Sequence, residues 1–237
     1  MHHRSGLTGV LYIAVIGAVV GYFFRATAAA GGSAIPLAAF SVIMTLVYLL
    51  AAVSLDKEPV FAEVYRASAG DTAASVLGAM AIAIGCAISL PRHGSALTLM
   101  MFARGASCLL GILGAAGLFA AAVVRARGGK PMAFLHVFIT LYYIVRLFLD
   151  FRGWMLDPKI SDYCYHLFAL ISFMISSYHA GAYCFDRGAR RRLTFFSLTG
   201  VLFGAVTLVG ANLAGMLISG GSMLWMLACA GQMMRRK

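Results

Sequence analysis

Charged side chains are scarce in this sequence of 237 residues: only 11% are charged, whereas 62% are hydrophobic. A soluble domain carries about 25% charged residues and roughly 45–50% apolar ones. The shortage excludes an ordinary soluble globule, a nucleic-acid-binding domain and a disordered chain. It also leaves no room for a soluble catalytic domain beside the apolar sequence. The composition therefore predicts an all-α, polytopic membrane protein made of a single transmembrane domain.

The sequence also lacks the short motifs that accompany common catalytic chemistries. It contains no H-E-x-x-H, G-x-S-x-G, P-loop or G-x-G-x-x-G pattern. Its five cysteines have no C-x-x-C or other paired spacing, so they are predicted to be packing residues. We therefore expect no enzyme, no catalytic residues, no metal site and no cofactor.

Long apolar runs are what the sequence does contain, and eight can be separated by charge, Pro or Gly. A spanning helix needs about 20 residues, and these runs do not show the polar–apolar alternation of barrel strands. The predicted spans are Gly6–Phe24, Ser33–Val53, Asp71–Leu90, Ala96–Val124, Pro131–Leu149, Tyr163–Cys184, Leu193–Ala211 and Leu213–Met234.

Two runs are too long for one simple span. Leu193–Met234 has no charge and would extend about 60 Å as one helix, so it must turn at Gly210–Asn212 or at Gly220–Gly221. Ala96–Val124 would reach roughly 43 Å. It either tilts or, as we expect, begins in the interface and enters the bilayer near Arg104. The first run is longer than a signal-peptide core and is predicted to be a retained helix.

Basic residues follow the span ends unevenly. With eight spans, thirteen lie on the side of the N-terminus and four on the opposite side. The positive-inside rule then predicts that both termini are cytoplasmic. The net charge of +11 is explained by topology and by anionic lipid headgroups, and nucleic acid is not expected as a partner. The strongest cluster, predicted as a topology anchor or acidic-lipid site, is Arg187, Arg190, Arg191 and Arg192.

Strongly polar side chains concentrate on the fifth and sixth spans. On the fifth, His136, Tyr143 and Asp150 repeat every seven residues and share one helix face, with Arg146 beside it. On the sixth, a similar face carries Asp162, Tyr165, His166, Ser172, Ser176, His179 and Tyr183. Because these helices are consecutive and antiparallel, the simplest packing turns the two polar stripes toward each other.

Depth divides these residues into two layers. The outer layer contains Arg146, Asp150, Asp162 and His166. The inner layer pairs His136 with His179, and Tyr143 and Ser176 lie between the layers. Ionisable groups inside spans are costly and hence candidate functional positions. The alternative is structural: a snorkelling arginine, capping aspartates, hydrogen-bonded serines and packed histidines.

Three functions remain open from the sequence. The leading hypothesis is a small secondary transporter or permease of a bacterial plasma membrane, with a polar pathway between helices five and six. The excess of arginine over lysine, with abundant alanine and glycine, is the basis for the bacterial source. The second is a scaffold or accessory subunit, since the glycines of Gly17–Gly21 and Gly111–Gly117 allow close packing within the bundle, in a homo-oligomer or with a partner protein. The remote third is a haem protein that uses His136 and His179.

Overall fold

The computed structural model describes residues 3–55, 67–91, 99–154 and 160–234, and within these ranges the chain forms eight α-helices and no β-strand. The all-helical prediction is therefore confirmed for the described residues. The helices are α1 His3–Ala29, α2 Ile35–Val53, α3 Ala69–Ile88, α4 Leu99–Ala126, α5 Phe134–Trp154, α6 Ile160–Tyr183, α7 Arg190–Thr207 and α8 Leu213–Met234.

The long uncharged run breaks at the first of the two predicted places. α7 ends at Thr207 and α8 begins at Leu213, whereas Gly220 and Gly221 lie inside α8. Gly210 has a φ of +78°, a left-handed conformation that glycine adopts at little cost. Asn212 then starts α8, because its side-chain oxygen accepts a hydrogen bond from the backbone N–H of Gly215 at 2.8 Å.

Six of the described helices, α1 to α5 and α8, are long and apolar enough to cross a membrane. The other two are more polar for different reasons. α6 carries the predicted polar stripe, and α7 begins with Arg190–Arg192. α7 is buried along most of its length and packs against α1, α2, α6 and α8. A helix that faces other helices does not need the apolar surface that lipid demands.

The helices alternate in direction, which gives the bundle two ends. We call the end that carries the starts of the odd-numbered helices the inner end and the opposite end the outer end, after the predicted orientation. α3 to α8 each pack on the next helix, and α8 packs on α3, so these six helices close into a ring. α1 and α2 pack together against α7, outside that ring. Ser68 and Asp71 form a capping box that starts α3.

Glycines allow the closest helix contacts in the ring. A Cβ atom on Gly78 of α3 would lie 2.5 Å from the carbonyl oxygen of Gly221 in α8, and the reverse distance is also 2.5 Å. On α4, a Cβ on Gly114 would lie 2.7 Å from the Cα of Ile139, and one on Gly117 would overlap Leu135 of α5. These small residues therefore serve packing within the bundle.

Large apolar side chains cover the outside of the bundle. The exposed members on α2 alone include Ile35, Val42, Leu46 and Leu50, each more than half exposed. Soluble monomers rarely expose apolar patches of this extent. The surface is therefore suited to contact with lipid.

Candidate functional site

A polar pocket of about 440 Å³ opens at the outer end of the bundle. It lies between the end of α1, the last turns of α5, the first turns of α6 and the turn that joins α7 to α8. The residues that line this outer pocket are Arg25, Arg146, Asp150, Tyr163, Tyr165, His166, Val206, Thr207, Val209, Gly210, Ala211, Asn212, Gly215 and Ser219. Three of the four predicted outer-layer residues are in this set.

Asp150 is the centre of the charged group in the outer pocket. Its carboxylate oxygen Oδ2 lies 3.4 Å from Nε of Arg146 and 3.2 Å from Nε2 of His166. Since an ionised carboxylate only accepts hydrogen bonds, Nε2 of His166 is the donor in that contact. Nη1 of Arg146 also donates to the hydroxyl of Tyr142 at 2.6 Å. Of these contacts, the one between Asp150 and His166 joins the end of α5 to the start of α6.

The local sequence explains why these groups meet. Arg146 and Asp150 are four residues apart on α5 and therefore lie one above the other on the helix surface. α6 returns from the same end of the bundle, so His166 in its second turn reaches Asp150 from the neighbouring helix. Side chains in α6 are described from Tyr163 onward, and the side chain of the predicted Asp162 lies outside the described residues.

Arg25 is a lining residue that the sequence reasoning missed. Its charge closes the first apolar run, and a basic residue at a span end is readily interpreted as a topology signal alone. The position of Arg25 on the outer side could nevertheless be predicted from the alternation of the spans. With Arg25, the lining residues comprise two guanidinium groups, one carboxylate and one imidazole. Among the described side chains, the lining of the outer pocket therefore has more positive than negative groups, which suits a ligand with negative charge.

The two polar stripes do not face each other below the outer pocket. The hydroxyl of Tyr143 on α5 lies 2.6 Å from the hydroxyl oxygen of Ser222 on α8. Ser176 on α6 accepts a hydrogen bond of 3.4 Å from Ser197 on α7. Tyr143 and Ser176 thus pair with α8 and α7, respectively, and not with each other. The predicted contact between the two polar stripes is thus observed at the outer end and not in the middle of the bundle.

The middle of the bundle is closely packed. Tyr143 and Ser176 are fully buried, and the ring of Tyr143 lies 5.5 Å from that of Phe173 on α6. One direct polar contact between α5 and α6 remains at this depth, where Thr140 donates a hydrogen bond of 3.0 Å to Ser177. In this conformation the outer pocket therefore does not continue toward the inner end between α5 and α6.

The two inner histidines point in different directions. A Cβ atom on Gly181 of α6 would lie 3.2 Å from the Cβ of His136, so that face of α6 is turned toward His136. His179 is two residues away, which places it on nearly the opposite side of the helix. The ring of His136 instead lies 6.3 Å from that of Trp225 on α8, and that of His179 lies 5.4 Å from Tyr178. The predicted pairing of His136 with His179 is therefore not observed.

The arginine cluster divides into buried and exposed members. Arg190 is only 3% exposed, and its guanidinium donates two hydrogen bonds, of 2.8 and 2.5 Å, to the carbonyl oxygen of Met233 near the end of α8. Arg191 donates to the carbonyl oxygen of Leu55 just beyond α2, at 2.8 Å. Both contacts satisfy carbonyl groups at helix C-termini, where positive charge is favourable. Arg187 and Arg192 are exposed at the inner end, and contact with headgroups stays a prediction for them.

No known protein family matches the chain, and no significant similarity joins it to a curated protein or to a solved structure.

Proposed function

We propose that this chain is a small secondary transporter of a bacterial plasma membrane, and that the outer pocket is its solute-binding site. In this proposal all eight helices cross the bilayer and both termini are cytoplasmic. The arginine-rich, alanine- and glycine-rich composition supports the bacterial assignment, and the apolar exterior supports insertion.

The observation that carries the proposal is the outer pocket itself, a polar cavity of about 440 Å³ at the end of an otherwise apolar bundle. That volume is within the range of small-molecule sites. Arginine, aspartate and histidine are expensive at membrane depth, and groups retained there commonly line substrate or proton pathways. A purely structural ion pair would not require a cavity beside it.

The charges of the outer pocket favour a small anionic solute. Arg146 and Arg25 offer planar guanidinium groups, which bind carboxylates or phosphates through paired hydrogen bonds. Asp150 and His166 contact each other and can each gain or lose a proton. We propose that they couple solute binding to proton movement.

The conformation corresponds to a state that is open to the outside and closed toward the inside. Tyr143 and Ser222 close the bundle below the outer pocket with their hydrogen bond. Release at the inner end would require this contact to open, which makes the pair Tyr143–Ser222 the inner gate of the proposed cycle.

Uptake by the purified chain in proteoliposomes tests the proposal. The probes are radiolabelled succinate, glutamate, lactate and phosphate, with and without an imposed pH gradient. We expect at least one anion to accumulate above the level of empty liposomes, and R146Q and D150N to lower that uptake at least tenfold. The control is R152Q, because Arg152 is an exposed arginine in the last turn of α5 and does not line the outer pocket.

The outcomes separate transport from the alternatives. Uptake of none of the four anions, or uptake that R146Q, D150N and H166Q all leave unchanged, would contradict the proposal. Co-purification of the chain in detergent with a second protein in fixed stoichiometry, together with no uptake, would instead support an accessory subunit.

A further inference from the structure

Ser219 of α8 is a buried residue in the lining of the outer pocket, and its hydroxyl has no hydrogen-bond partner among the described residues. The residue is only 6% exposed. Two nearby hydroxyl groups are bonded within their own helices: Thr207 donates to the carbonyl oxygen of Gly204 and Ser222 to that of Ile218, each at 2.7 Å. Buried hydroxyl groups usually have a partner. The hydroxyl of Ser219 is therefore available to a solute in the outer pocket.

Ser219 lies on the floor of the outer pocket, next to the inner gate. It precedes Ser222 by three residues on α8, so the two share one helix face and Ser219 lies one turn nearer the outer end. Ser222 and Tyr143 are the two residues of the inner gate, and their hydroxyl oxygens are 2.6 Å apart. A solute that reaches Ser219 therefore lies against the closed gate.

The positive groups that favour an anion include some nearer the mouth of the outer pocket. Gly210, Ala211, Asn212 and Gly215 belong to the turn before α8 and to its first residues, and all four line the pocket. The first N–H groups of a helix have no acceptor within the helix and favour negative charge. Arg25 adds a guanidinium group to the same lining. The carboxylate of a solute is therefore best placed near Arg25 and the start of α8.

The start of α8 and Ser219 are six residues apart, which corresponds to about 9 Å along the helix axis. Hydrogen bonds of about 3 Å at each end leave a few ångströms for the solute itself, so the solute must be short. Its inner end must suit a neutral hydroxyl group. A second carboxylate there would lose water for one hydrogen bond, because Arg146 is already bonded to Asp150 and Tyr142. A hydroxyl group of the solute can instead donate to Ser219 or accept from it.

We propose that Ser219 makes the outer pocket selective for short hydroxylated monocarboxylates. In this arrangement Ser219 binds the hydroxyl group of the solute, and the carboxylate lies toward Arg25 and the start of α8. The inference rests on the proposed function, because it takes the outer pocket as the solute-binding site. It adds the chemical class of the solute and the residue that selects it.

Isothermal titration calorimetry on the purified full chain in detergent tests this selectivity without requiring transport. The probes are two matched pairs that differ by one hydroxyl group, lactate with propionate and 4-hydroxybutyrate with butyrate. We expect the hydroxylated acid of at least one pair to bind about three- to tenfold more tightly, as one added hydrogen bond predicts. S219A should remove this preference by weakening only the hydroxylated acid. S89A is the control and should keep it, because Ser89 is an exposed serine just beyond α3 that does not line the outer pocket.

The outcomes distinguish this inference from the proposed function. S219A removes no hydrogen bond to a described residue, so the Tm of the ligand-free protein should be unchanged and misfolding would not explain a lost preference. Equal affinities within both pairs, or a preference that S219A retains, would overturn the role of Ser219 and leave anion binding by the outer pocket intact. Binding of none of the four acids would also overturn it, and uptake of succinate or phosphate in proteoliposomes would then show that the transport function stands without it.

Discussion

The contact between α3 and α8 allows a sharp test of the fold with two neighbouring glycines. A methyl group on Gly221 would lie 2.5 Å from the carbonyl oxygen of Gly78 and 3.0 Å from side-chain carbons of Ala81 and Ile82. A methyl group on Gly220, one residue earlier in α8, would meet nothing within 4 Å. The substitutions G221A and G220A are therefore chemically identical but differ in what the new methyl group contacts.

The expected difference can be worked out from these distances. Carbon–oxygen contacts between packed backbones are about 3.3–3.6 Å, so G221A must push the helices apart by about 1 Å. Overpacking of this kind costs roughly 1–3 kcal/mol. Each substitution also gains about 0.5–1 kcal/mol, because alanine is a better helix former than glycine. This gain cancels between the two variants, so G221A should be less stable than G220A by ~1–3 kcal/mol.

Equilibrium unfolding by SDS in mixed micelles, followed by far-UV circular dichroism and tryptophan fluorescence, measures this difference. We expect G220A to equal or exceed the stability of the wild type, because its methyl group enters an open apolar groove beside α1. If the two variants differ by less than about 0.5 kcal/mol, α3 and α8 do not pack at Gly78 and Gly221 as described. A closed six-helix ring would then lose its main support.

Two further substitutions test contacts that stabilise the closed conformation. Y143F removes the hydroxyl that is hydrogen-bonded to Ser222 and should lower the free energy of unfolding by about 0.5–1.5 kcal/mol. In a double-mutant cycle with S222A, the two losses should not be additive. R190M leaves the carbonyl of Met233 unsatisfied and should lower the free energy of unfolding by ~1–3 kcal/mol in the same SDS assay. R187M replaces an exposed arginine and should change the free energy of unfolding by less than about 0.5 kcal/mol. Equal effects of the two substitutions would contradict the contact of Arg190 with α8.

The helices could be predicted from the sequence because each is bounded by features that act locally. Apolar runs end at charge, Pro or Gly, and the turn at Gly210 requires a left-handed backbone conformation, which glycine adopts readily. Most helix bounds differ from the predicted ones by two to five residues; α1 and α5, for example, each end five residues beyond the predicted span. α6 begins at Ile160 and α7 at Arg190, each three residues before the predicted span, because polar first turns remain helical outside the apolar segment.

The rotation of each helix could not be predicted in the same way. Periodicity indicates that Ser176 and Tyr143 lie on polar faces, but hydroxyl groups pair with any acceptor at the right depth. Their partners, Ser197 and Ser222, lie on α7 and α8, in the uncharged run where no polar stripe was evident. Which neighbour supplies a partner is decided by the ring closure between α3 and α8, a contact between distant parts of the chain.

The outer pocket was partly predictable, because one of its contacts lies within a single helix and another joins two consecutive helices. The spacing of Arg146 and Asp150 gives their contact, and the short return from α5 to α6 brings His166 to the same end. Arg25 completes the pocket from a helix far away in the sequence. Its role depends on how α1 packs against α7, which no pattern within α1 determines.

The structure also changes what the uneven basic charge can be taken to mean. Of the thirteen basic residues predicted at the inner side, Arg125 and Arg190 are buried and contact protein groups, so they contribute little to interaction with a membrane surface. Among the side chains that the structure describes, the exposed basic residues of the inner end are Arg127, Lys130, Arg187 and Arg192, and those of the outer end are Arg104 and Arg152. Without Arg125 and Arg190, the predicted count of thirteen basic residues against four becomes eleven against four, so the predicted positive-inside bias keeps its direction. The two buried arginines belong instead to the packing of the inner end.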